Sequence, residues 1–138
     1  MKYTPEMQSK VDGLNLKPEN ILYLTIARHY LRRIIEGTKK VEFRSLNEYY
    51  LKKMCNFDSQ YQFISDKPIT HLLLQGGYSF SSPRALVELK DWFFHDDEEY
   101  SETAGQMDEA VKAEAEAEGF TDDDEYLALV LGDVVYSE

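Results

Sequence analysis

The apolar residues of this chain of 138 residues come in short runs, and that limits the folds open to it. Ile21–Ile26, His71–Gln75 and Tyr126–Leu131 are five or six residues each, with polar, Gly or Pro residues at their borders. A helix that crosses a membrane needs roughly 18 uncharged residues. The stretch from Ile21 to Ile35 is interrupted by Arg28, His29, Arg32 and Arg33, so no membrane association is expected. Short apolar runs of this kind read as buried strands. The length suits a single domain, 1–138, and 43% apolar with 30% charged residues is a globular composition. The opening Met-Lys-Tyr-Thr-Pro-Glu has no apolar core of a secretory signal, and the one cysteine, Cys55, excludes an internal disulfide. A cytoplasmic location is the expectation that follows.

Charge is unevenly spread. Residues 1–90 hold 14 Lys/Arg against 9 Asp/Glu, whereas residues 91–138 hold one Lys against 17 Asp/Glu. The net charge of −11 therefore conceals a mildly basic body and a very acidic last third. An acidic protein as a whole repels nucleic acid, but binding depends on the local patch.

Residues 1–19 are polar and punctuated by Pro5, Gly13 and Pro18, so they read as a flexible lead-in with at most a short helical turn at Glu6–Val11. After the first strand, Tyr30, Leu31, Ile34 and Ile35 share one helical face, and Gly37 stands where a helix ends in a left-handed residue. From Lys40 to Arg44 the pattern alternates, with Val41 and Phe43 on one side. Asn47 is placed to cap a helix from Glu48 to about Met54. Residues 55–69 read as an irregular connection, and Gly76-Gly77 opens a loop that runs to Pro83. Arg84 to Phe94 alternates again, with apolar residues on both faces, and Trp92, Phe93 and Phe94 read as core. Residues 96–125 read as an acidic, partly helical insertion. Its Met107–Glu118 helix has almost no large apolar residue except Val111, so exposure is expected. Gly132-Asp133 reads as a turn between the last two strands. The class expected from these elements is α+β, a mixed fold or a small barrel.

The densest chemistry lies in Gly37-Thr38-Lys39-Lys40-Val41-Glu42-Phe43-Arg44, at a helix-to-strand junction. On one strand face Lys40, Glu42 and Arg44 follow each other in steps of about 7 Å, with Lys39 at the turn beside them. Two or three cations around one carboxylate suit a phosphate or a polar base edge, with Arg44 as a fork. A crowded lysine also suits proton transfer. The same pattern describes a solvated strand face whose salt bridges contribute little.

Gly37, Lys39, Glu42 and Arg44 spell G-x-K-x-x-E-x-R, which resembles the signature of the ASCH domains, a branch of the PUA-like superfamily. The strand and helix before it, the block Gly77-Tyr78, Ser82-Pro83 and Val87-Glu88, and the block Leu129–Val134 resemble the segments that flank that signature, over residues 20–95 and 125–136. The resemblance implies a PUA-like small mixed β-barrel with flanking helices and a cleft lined by the motif. It implies RNA or nucleotide binding, linked to RNA modification or translation. One branch of the family hydrolyses an acetylated cytidine nucleoside with a lysine, a threonine and a later glutamate. Lys39 matches the lysine, Glu42 stands in the threonine's place, and Glu88 is the candidate for the glutamate. The expected ligand contacts are Lys39, Lys40, Glu42, Arg44, Tyr78 and Arg84. If the protein is an enzyme, a small hydrolase acting on a modified nucleoside, the catalytic candidates are Lys39, Glu42 and Glu88, with Glu42 as a general base for water. A third reading is a regulatory protein whose acidic insertion binds a basic partner.

Tyr78 and Phe80 flank the Gly-Gly loop and can stack on a base or merely pack. Arg28, Arg32 and Arg33 form a basic helix face that suits a nucleic-acid backbone, or simply water. Gly76-Gly77 lacks the lysine and helix of a phosphate loop. His29, His71 and His95 lack metal-ligand spacing, and Asp122–Glu125 lacks the glycine and alternation of a calcium loop, so no metal and no cofactor are expected.

Overall fold

Helices are interspersed among strands along the chain. The structure is a computed structural model and describes residues 2–95, 109–121 and 123–138. Helix α1 (Pro5–Gly13) leads to strand β1 (Ile21–Ile26), helix α2 (Arg28–Glu36), β2 (Val41–Ser45), α3 (Glu48–Met54), β3 (Cys55–Phe57), β4 (Phe63–Asp66), β5 (His71–Gly76), β6 (Arg84–His95), α4 (Glu109–Ala117) and β7 (Tyr126–Ser137). Five strands hydrogen-bond in the order β1-β5-β6-β7-β2, and β3 pairs with β4 in a ribbon. The class is mixed α+β.

The chain forms two compact units, and the long strands β6 and β7 each contribute to both. The first unit holds Met1–Lys40, Asp66–Leu89 and Gly132–Glu138. In it β1 runs parallel to β5, from Ile21 opposite His71 to Ile26 opposite Gly76, and β6 runs antiparallel to β5. Leu72, Leu73 and Leu74 are fully buried, as expected of a strand covered on both faces. Helix α2 packs on β5 through its buried Leu31 and Ile34. Gly76 permits this approach, because a Cβ there would lie 2.9 Å from Leu31 Cδ2.

Two expectations fail in this unit. Residues 5–13 are a full helix rather than a lead-in with one turn. Thr4 accepts from the Met7 amide, Pro5 starts the helix, and Met7 and Val11 are buried. Gly132-Asp133 is not a turn, since β7 runs through it without a break. The glycine serves a close approach: a Cβ on Gly132 would lie 3.0 Å from Glu88 Cβ, and the Asp133 amide donates to Glu88 Oε1 at 3.1 Å.

The second unit holds Val41–Ser65 and Lys90–Leu131. Strand β2 lies antiparallel to β7, with Val41 opposite Val130 and Ser45 opposite Tyr126. Its core gathers Val41, Phe43, Phe93, Val111, Ala115, Tyr126 and Ala128, with Phe120 and Val130 against them. Phe43 meets the Tyr126 ring edge-on at 5.7 Å. Helix α4 is therefore a core element rather than an exposed helix. Val111 and Ala115, four residues apart, make an apolar stripe narrow enough for close packing, so few large residues are needed. The acidic residues 96–108 lie outside the described residues. Residues 55–69 also hold more order than an irregular connection, because β3 and β4 form their ribbon there. Asn47 caps α3 as expected, with Oδ1 accepting from the Tyr50 amide at 3.0 Å.

Candidate functional site

The motif begins where α2 ends. Gly37 takes φ 83°, the left-handed cap that a glycine adopts at least cost. The amides of Thr38 and Lys39 donate to the Arg33 carbonyl at 2.9 and 3.1 Å, and the Thr38 hydroxyl donates to it at 3.2 Å. This wrap over the helix end reverses the chain within three residues and fixes the backbone of Lys39. The Lys39 side chain is only 2% exposed, and its Nζ lies 4.7 Å from the centre of the Tyr30 ring. A buried ammonium needs compensation, and the face of Tyr30 supplies part of it. Lys40, the next residue, is exposed. Both lysines belong to the first unit.

Glu42 and Arg44 belong to the second unit, on β2. Glu42 is 4% exposed, so the strand face that carries it is covered rather than solvated. Its Oε2 accepts from Arg44 Nη2 at 2.8 Å and from Nε at 3.1 Å. Arg44 Nη1 donates to the Tyr50 hydroxyl at 3.1 Å. Burial works against the guanidinium charge. The charges of Glu42 and Tyr50 and their hydrogen bonds outweigh it and hold the Arg44 pKa above the ordinary arginine value. The alternation placed Glu42 and Arg44 on one face, and the structure joins them. Tyr50 is not among the residues the motif points to; its offset of six residues across a strand end and a helix start carries no periodic signal.

The other candidates stand elsewhere. Glu88 lies on β6 in the first unit, where it receives the Asp133 amide and stands opposite His71. Burial lowers the His71 pKa, partly offset by the charge of Glu88. Arg84 forks onto Glu138, with Nε to Oε1 at 2.9 Å and Nη2 to Oε2 at 3.1 Å, and Nη1 donates to the Lys2 carbonyl at 2.9 Å. The Glu138 hydrogen bonds raise its pKa, and Arg84 ties two distant stretches of chain together. Tyr78 sits in the loop between β5 and β6 and is 90% exposed. Among the described residues, no three His, Cys, Asp or Glu side chains converge as metal ligands do. An open hollow of about 230 Å³ in the second unit is lined by Ser45, Glu118, Gly119, Phe120, Asp124 and Glu125, none of them a predicted site residue.

No protein-family model matches the chain, and no curated protein matches it. Among solved structures it is similar to the crystal structure of a serine-to-alanine mutant of ZmASCH from Zymomonas mobilis. The identity is 12%, over 84% of this chain and 70% of that one, with a TM-score of 0.46. No helix among the described residues is long and apolar enough to cross a membrane.

Proposed function

We propose that the chain is an ASCH-type, PUA-like binding module, and that its G-x-K-x-x-E-x-R segment takes a nucleotide or a short single-stranded RNA. The observation that carries this reading is the burial of Lys39 and Glu42. Surface ion pairs contribute little and can lie anywhere, whereas a charge withdrawn from water is costly and concentrates where a protein needs a fixed field. Arg44 is the reading group. Glu42 and Tyr50 accept from three of its N–H donors and hold its plane, which fixes the position of its charge for a phosphate or a base edge.

The hydrolase reading draws less support. Glu42 stands where the hydrolysing branch has its hydroxyl, and two arginine N–H groups occupy its Oε2. A carboxylate engaged in that way is a poor proton acceptor for water.

The test is calorimetric titration of the protein with uridine and adenosine monophosphates. Arg44→Lys keeps the charge and removes the fork. The expected result is binding to the parent protein, weakened at least about tenfold in the variant. Equal binding to both, or none to the parent, overturns the reading. Turnover of N4-acetylcytidine that disappears in Lys39→Met would establish the hydrolase instead.

A further inference from the structure

Two stretches of this acidic chain contain no Asp or Glu: residues 21–35 and residues 67–87. Both belong to the first unit, and they meet. Arg28, the first residue of α2, donates from Nε to the Gly76 carbonyl at 2.9 Å, and so joins the helix to the loop after β5. Arg28, His29, Arg32 and Arg33 are all exposed on α2. The loop carries Tyr78 and Phe80, 90% and fully exposed. It is tied closely: Gly76 N to Pro83 O at 2.8 Å, Ser82 N to Ser79 O at 2.9 Å, and Gln75 Nε2 to Gly77 O at 2.8 Å. Two bare rings thus stand on a bonded frame that Arg28 joins to the basic helix.

The amino end of α2 adds an anion site. Ala27 offers no side-chain cap, and the first amides of a helix have no partner within it. A second observation lies close to the Arg28 side chain. Ser82 Oγ is buried without a hydrogen-bond partner. A Cβ on Gly77 would lie 2.9 Å from that oxygen and 3.7 Å from Arg28 Nε, so glycine leaves the hydroxyl and the guanidinium beside one another.

We propose that this face is a platform for single-stranded nucleic acid, outside the motif. Bases stack on Tyr78 and Phe80, a phosphate meets Arg28 at the amino end of α2 beside the loop that buries Ser82, and Arg32, about 6 Å further along the helix, meets the next. The charge pattern selects a polyanion, and the uncovered rings select one with flat faces. The proposal deepens the nucleic-acid reading above but uses other residues, so the two can fail separately.

The test is fluorescence anisotropy with labelled 12-mers of oligouridylate and oligodeoxythymidylate at several salt concentrations. The Tyr78→Ala/Phe80→Ala variant is expected to bind at least about tenfold more weakly, with the melting temperature unchanged because both rings are exposed. Arg28→Ala/Arg32→Ala is expected to flatten the slope of log Kd against log salt by about 1.4. The strand that binds the parent more tightly identifies the natural sugar. No binding to the parent, or full binding to the aromatic variant, overturns the platform. A protein partner as the occupant is the outcome if an acidic peptide displaces nothing but itself binds through the two rings, and that too overturns it. If the aromatic variant loses the 12-mers while Arg44→Lys still binds uridine monophosphate normally, the platform stands and the motif reading falls. The opposite pair of results does the reverse.

Discussion

Glu42 sits at the centre of the residue-scale account. It is buried, and it orders Arg44, which in turn reaches Tyr50. Glu42→Gln keeps the volume but removes the charge that Arg44 faces, and is expected to cost about 1–3 kcal/mol. A thermal melt reads this as a lower midpoint; an unchanged midpoint contradicts the coupling. Tyr50→Phe removes one acceptor and is expected to cost less, about 0.5–1.5 kcal/mol. His71 gives a pH signature. Its pKa is lowered in the folded chain, chiefly by burial. The unfolded chain therefore takes up the proton first, so this contribution is full above the ordinary value near 6.5 and is lost as pH falls below it. His71→Gln should remove that part of the acid-side slope in melts recorded from pH 7.5 to 5. An identical slope contradicts the assignment. The alternation in Val41–Arg44 already placed Glu42 beside Arg44. The burial of Glu42 and of Lys39 was not legible, because burial depends on what covers a strand or turn, and that cover comes from distant sequence.

At the scale of elements, the helices and strands that local chemistry specifies were readable. Gly37 stops α2 through its positive φ, and Asn47 starts α3 through its side-chain oxygen. Removing the second cap, Asn47→Ala, is expected to cost about 1 kcal/mol, measurable by chemical denaturation. The misread elements share one cause. Gly132 looked like a turn because glycine favours turns, yet here it lets β7 pass close to Glu88. Helix α4 looked exposed because its only large apolar residue is Val111, yet Val111 and Ala115 fill the core of the second unit. A glycine that makes space and an alanine that fits a narrow gap carry no hydrophobic signal of their own. Val111→Ala should therefore cost about 1–3 kcal/mol, and Ala115→Glu should cost more. Neutral behaviour of both substitutions would return α4 to the surface.

At the scale of the whole molecule, charge is the organising property. The first 90 residues carry a net +5 and the remainder −16, so a basic body coexists with an acidic sequence overall. Global charge therefore predicts solubility, while local fields decide what binds. The motif and the α2 face both lie among the residues of the basic body. The fold class was legible from short apolar runs between punctuation, and the division into two units was not, because β6 and β7 each serve both. The central claim is that the buried motif is a ligand site. Its most direct test is side-chain NMR of the Arg44 Nε–H and Tyr50 ring signals during titration with uridine monophosphate. The account predicts that both signals move in step with saturation and that Arg44→Lys abolishes the Tyr50 response. Signals that stay fixed while nucleotide binds elsewhere, or while none binds, contradict it.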